Sequence, residues 1–178
     1  MRTVKASLVG GVMGTVTLAG TLAGIGPARA ATEPPSTTRI EAETYAVQRG
    51  TRVVADPKAS GGRIVTQFSP GDVLGYDDVT TRGAAYSLLC FSTPAALQDG
   101  SEVGTVDVRF DSPWSKPVLS VPLRSWLGSG RRQWANAGPV PDGTRRVFLT
   151  IRQSRYSQPV NLDYLLFAAT PPPPSLNC

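Results

Sequence analysis

Histidine is absent from all 178 residues. With it go the commonest general base and metal ligand, so Ser-His-Asp, Cys-His and histidine-metal sites are excluded outright. No stretch after Ala30 sustains the three-four spacing of an amphipathic helix for three turns, which leaves strands as the only regular structure the pattern supports. Basic runs longer than a pair are missing as well. Cysteine occurs only as Cys90 and Cys178. One intramolecular disulfide is allowed in an oxidising compartment. Cys90 lies inside an apolar run and Cys178 follows a Pro-rich tail, so a buried thiol and a loose terminal one are the alternative.

The chain opens with Arg2 and Lys5, then an uncharged, largely apolar or small-residue stretch from Ala6 to Ile25. Ala28-Arg29-Ala30 places small residues at the two positions a signal peptidase reads, and residues 1–30 read as a signal peptide cleaved after Ala30. A transmembrane anchor is the alternative, disfavoured by the Gly and Thr content. A secreted, extracellular protein with no stable membrane insertion after cleavage is expected. Lys and Arg number 18 against 13 Asp and Glu, a formal charge of +5. Arg2, Lys5 and Arg29 leave with the leader, so the mature balance is 18 − 3 − 13 = +2. That excess gives nucleic acid little support as a partner. About 148 residues remain (178 − 30), which fits one domain and one core. Residues 31–38, "ATEPPSTT", read as a flexible leader, 39–170 as the domain, and 171–178 as a stiff Pro-rich tail.

Period two dominates the interior. "GTVDVRFD" sets Val106, Val108 and Phe110 against Thr105, Asp107 and Arg109, and "RRVFLTIR" sets Val147, Leu149 and Ile151 against Phe148, Thr150 and Arg152. Similar runs fall near 39–45, 51–55, 63–68, 73–79, 84–92, 117–124, 132–140 and 160–168. Gly61-Gly62, Ser69-Pro70-Gly71, Asp99-Gly100, Gly128-Ser129-Gly130 and Pro141-Asp142-Gly143 punctuate them. Many short strands at roughly ten-residue intervals predict an all-β fold, an antiparallel β-sandwich of jelly-roll type.

"RIEAETYA" begins the first such run and carries Glu41 and Glu43. In a strand, residues two apart face the same way, about 7 Å apart. Such a pair is either a solvated strand edge or the start of a hard-cation site, since calcium takes several oxygens. Asp163, the lone acid of the apolar "VNLDYLLF", supplies a third carboxylate if the first and last strands are neighbours, and a buried unpaired carboxylate is costly.

Six segments follow one another in an order and spacing that resembles the family 6 carbohydrate-binding modules: "IEAETYA", the Gly61-Gly62 turn, "GDVLGYDDV", "VDVRFDSP", "RQWANAGPV" and "VNLDYLLF". The likeness covers residues 39–168. It implies a jelly roll with a structural Ca2+ held by Glu41, Glu43 and Asp163. It also implies a sugar cleft among the loops at one end, where two aromatics clamp a ring and an Asn before the last Leu-Asp contacts it. Asn161 matches that Asn. Gln67 and Arg131 stand at the aligned positions of the two aromatics, and Trp126, in a loop about two residues longer than usual, is the candidate replacement platform; its alternative is the core end of a strand. Arg131-Arg132 beside Asn161 also fits an acidic sugar. Tyr76, Tyr86, Tyr164 and Trp114 read as core or rim. The resemblance further implies a second sugar site on a sheet face, which the sequence assigns to no residues. Alternation puts Asn161 and Asp163 on one face, so their separate roles demand a bend near Asn161.

The expected function is a non-catalytic, monomeric module that binds a polysaccharide or oligosaccharide. The alternative is a calcium-stabilised sandwich that has lost sugar binding and serves as an extracellular protein-interaction or envelope-associated domain. A glycosidase is disfavoured, because its two carboxylates must flank a bound glycosidic bond.

Overall fold

The computed structural model describes residues 37–93, 100–125, 132–136, 138–153, 159–171 and 178. All belong to one compact unit, Glu33–Cys178. The leader of residues 1–30 and most of the tail lie outside the described residues. Among the described residues no helix is long and apolar enough to cross a membrane.

The alternating runs form antiparallel strands in two sheets. One sheet contains β3 (Arg52–Ala55), β4 (Arg63–Phe68), β11 (Val160–Ala168), β6 (Tyr86–Ser92) and β9 (Arg132–Asn136) in that order, with β1 (Thr37–Glu41) also on β11. The other runs β2 (Val47–Arg49), β5 (Val73–Thr80), β10 (Thr144–Gln153), β7 (Glu102–Phe110) and β8 (Leu119–Arg124). This is the jelly-roll sandwich the punctuated strands predict.

The inward sets are those the alternation picks out. Val106, Val108 and Phe110 from β7 meet Val147, Leu149 and Ile151 from β10, and Val65, Phe68, Leu89, Phe91, Leu162, Leu165 and Phe167 close on them from the first sheet. Each fully buried side chain of this size contributes about 1.5–3 kcal/mol. β6 and β11 depart from alternation because both of their faces are covered. Leu88, Cys90, Tyr164, Leu166 and Ala168 form a second apolar cluster on the outer face of the first sheet, and Cys178 packs against it. Cys90 and Cys178 form a disulfide with their Cα atoms 5.5 Å apart. That resolves the alternatives the sequence left open.

Three local expectations are corrected. The run expected over 39–45 ends as a strand at Glu41 and turns at Ala42 and Glu43, so Glu41 and Glu43 do not share one strand face. β1 starts at Thr37, within the stretch expected as leader, because Thr37 and Thr38 pair with Ala168 and Phe167. Trp114, expected in core or rim, stands 79% exposed, which rules out the core.

β11 organises the first sheet. Along one edge it pairs with β4 through Val160 and Leu162, and then with β1 through Tyr164 to Ala168. Asp163 sits at the handover. Leu162 faces Phe91 and Tyr164 faces Cys90, so Asp163 is an extra residue relative to β6, a bulge at the junction. A second register shift lies between Val160 and Leu162 against β4, where Gln67 adopts a left-handed φ of 63°. These irregularities supply the bend that Asn161 and Asp163 require.

Candidate functional site

The acidic cluster is built where β1 meets β11. The Ala42 N–H donates to the Asp163 carbonyl (2.8 Å), which places Glu41 and Glu43 on either side of that residue. The turn from Asp56 to Gly62 folds over them, held by Asp56 N–H to the Gly62 carbonyl (3.0 Å) and Gly62 N–H to the Ala59 carbonyl (3.0 Å). From it the Ser60 N–H donates to Asp163 Oδ1 (3.0 Å), and the Ser60 hydroxyl donates to Glu41 Oε1 (2.7 Å). A Cβ on Gly61 would meet Glu43 Oε1, the movable end of that side chain, so the loop and the acid stand in close contact. Arg39 also pairs with Glu41 Oε1 at 2.8 Å and lies over the Tyr164 ring.

The fold therefore gathers Glu41, Glu43 and Asp163 around the Ser60-Gly61 loop. Asp163 is 1% exposed. Glu41 Oε2 and Glu43 Oε2 are buried, and among the described residues neither has a hydrogen-bond partner. Two solvent-shielded carboxylate oxygens left unmatched are costly, and a hard divalent ion is the partner that such oxygens take. The donor set fits calcium in kind. Among the described residues, however, no group of three or more acidic or cysteine side chains is arranged to hold a metal ion. The buried Tyr76 hydroxyl donates to the Ala42 carbonyl at 2.9 Å. Burial, with the Glu43 carboxylate and Tyr45 nearby, pushes the Tyr76 phenol far above its ordinary range.

The predicted sugar residues divide. Asn161 lies opposite Ser92, and Ser92 lies opposite Arg132, so one row crosses β11, β6 and β9. Gln67 flanks Phe68, whose partner is Val160, at the same end of β11. Asn161 Nδ2 reaches Ser92 Oγ only at 3.5 Å, which leaves the amide weakly committed. Phe68 is buried, as expected, and Gln67 is exposed. Trp126 and Arg131 lie outside the described residues.

A groove on the outer face of the second sheet was not assigned from sequence. It holds about 360 Å³ and is lined by Arg49, Asp72, Val73, Arg109, Trp114 and Thr150 among others. That volume falls in the range of small-ligand clefts, about 300–1,000 Å³. Asp107, wholly buried, holds the lining residue Arg109. Its carboxylate accepts from Arg109 Nη2 (2.9 Å), Ser120 Oγ (2.7 Å) and Arg152 Nε (2.8 Å). The hydrogen bond to Asp107 raises the Arg152 pKa. Arg109 Nε donates to Thr150 Oγ1 (3.2 Å) and Nη1 to the Ser115 carbonyl, which ties the loop carrying Trp114 to the sheet. At the other wall the Asp72 carboxylate accepts from the Ser69 N–H (2.8 Å) and closes the turn between β4 and β5. A flat exposed ring beside fixed polar groups can stack a pyranose and hydrogen-bond its hydroxyls.

Comparison with known proteins agrees with this fold. The family model described as carbohydrate binding module (family 6) matches residues 41–169. A β-1,3-glucan-binding family 6 module from Bacillus halodurans superposes with a TM-score of 0.59 at 23% identity, covering 73% of this chain and 94% of that one. A family 6 module from Clostridium cellulolyticum in complex with xylose gives 0.58 at 23% identity, with 73% and 95% covered. One from Clostridium stercorarium in complex with cellobiose gives 0.58 at 20% identity, with 75% and 94% covered. None of the curated proteins matches the chain.

Proposed function

Because the chain belongs to family 6 of the carbohydrate-binding modules, we propose that it is a secreted, non-catalytic module that binds a polysaccharide or oligosaccharide on a sandwich fastened by structural calcium. The observation that carries the binding reading is Trp114, 79% exposed at the lip of the sheet-face groove. A flat ring standing open beside polar groups is the platform on which a sugar face stacks. Support also comes from structural neighbours solved with cellobiose and with xylose. Asn161 and Gln67 belong to the second proposed contact area, to which the sequence also assigns Trp126 and Arg131, outside the described residues.

Calcium would be held by Glu41, Glu43 and Asp163, and would contribute a charge-neutralising link between β1 and β11. The non-catalytic reading is supported by where these acids point. They converge under the Ser60-Gly61 loop and do not flank an open cleft, as paired glycosidase carboxylates must. Secretion rests on the Arg2 to Ala30 pattern and is supported by the disulfide.

Affinity electrophoresis on gels containing xylan, β-1,3-glucan, mixed-linkage glucan or polygalacturonate tests the binding. Retardation on at least one gel, lost in Trp114→Ala, is the expected result. Retardation on none would leave the alternative, a sandwich that keeps the fold without sugar binding, which Gln67 in place of a stacking aromatic favours.

A further inference from the structure

We propose that the sheet-face groove prefers an anionic sugar unit, stacked on Trp114 with its carboxylate or sulfate ester met by Arg49 and Arg109. This rests on the glycan-binding reading and adds the class of ligand.

Charge carries the argument. The charged groups lining the groove are Arg49, Arg109 and Asp72, two guanidinium groups against one carboxylate. Asp72 is already engaged, since its Oδ2 accepts the Ser69 N–H, and a Cβ on Gly50 would fall on its Oδ1. Behind the groove, Asp107 is shared by Arg109 and Arg152 at 2.9 and 2.8 Å, so one buried negative charge faces two cations. Among the lining side chains the excess is positive, two guanidinium groups against one carboxylate.

Geometry makes that excess usable. Arg109 spends three N–H groups on Thr150, Asp107 and Ser115. A guanidinium has five, so two remain on a fork whose plane is already fixed. Little side-chain entropy is lost when such a group meets an anion. Arg49 is exposed on β2, and among the described residues it makes no ion pair. The Arg49 and Arg109 side chains line one concavity with the Trp114 ring. A ring bearing a carboxylate or sulfate at its edge satisfies the platform and the cations at once. A neutral ring satisfies only the platform.

The test is titration calorimetry on the full protein with matched probes at low ionic strength. The probes are xylotetraose, the same oligosaccharide bearing one glucuronic acid, an oligogalacturonate, its methyl ester, and a sulfated galactan oligosaccharide. The expected result is about fivefold or tighter binding of the charged member of a pair, modest because exposed pairs are screened. That advantage should shrink in 0.5 M salt and vanish in Arg49→Glu, whose exposed position leaves folding intact. Preference for uronates alone, or for sulfates alone, identifies the source of the anion. Equal affinity for charged and neutral probes, both lost in Trp114→Ala, overturns the inference and leaves the glycan-binding reading standing. Binding of no probe overturns both.

Discussion

Ser60 and Gly61 do at the residue scale what the acids alone cannot. Three carboxylates brought together repel one another, and the loop offsets part of that with the Ser60 N–H and hydroxyl. Ser60→Ala should cost about 1 kcal/mol in urea unfolding, the usual net worth of a lost hydrogen bond. Gly61→Ala should cost little, because its Cβ meets only the movable end of the Glu43 side chain. A Ser60→Ala protein as stable as the wild type would show that the Ser60 hydroxyl does not engage Glu41 in solution. Trp114→Ala should change stability by less than about 0.5 kcal/mol while abolishing retention on glycan gels. The convergence of Glu41, Glu43 and Asp163 was legible in the sequence, but through a wrong geometry: a single strand face was expected, and a strand end plus a turn produces it. Trp114 was left between core and rim because aromatics are usually buried. The signal was there in "DSPWSKP", where the ring follows a Pro inside a turn and has no strand register to carry it inward.

Among the elements, β11 explains the most. It is central to its sheet and exchanges one edge neighbour for another at Asp163, so its burial is almost continuous. Leu162→Ala, at a wholly buried position, should cost about 2–5 kcal/mol by calorimetric melting. A loss under about 1 kcal/mol would mean the strand is not packed as described. Gln67 strains the partner strand, since its φ of 63° suits glycine. Gln67→Gly should be neutral or stabilising by up to about 1 kcal/mol, and Gln67→Val clearly destabilising. Period-two patterning gave the long strands to within a few residues. It missed β2, three residues long and exposed throughout, because so short a run has no period. Bulges stayed invisible for a different reason: an extra residue shows only against a partner strand, and a lone sequence holds no register.

For the whole molecule, a disulfide fastens distant parts of the chain, and the proposed calcium would be a second fastening. The Cys90–Cys178 disulfide closes a loop of 88 residues. Its reduction should lower the melting temperature, equivalent to about 2–5 kcal/mol on the usual model of a constrained unfolded chain. The proposed calcium link should add to it, because an ion bound only by the native state stabilises by mass action. Chelation should therefore lower the melting temperature of the wild type and leave Asp163→Ala unmoved; a wild type indifferent to chelator would mean the acids hold no ion. The sandwich and its family resemblance were readable from six short segments in order, since fold is written in spacing and alternation. The groove was not, because Arg49, Asp72, Arg109 with Trp114, and Thr150 come from four separate stretches that only the sheet order unites. An amide NMR titration with cello-, xylo- and uronate-bearing oligosaccharides reads the glycan-binding surface directly. Shifts concentrated at Arg49, Val73, Arg109, Trp114 and Thr150 are predicted, and a spectrum unmoved by every oligosaccharide at millimolar concentration would contradict the glycan-binding assignment.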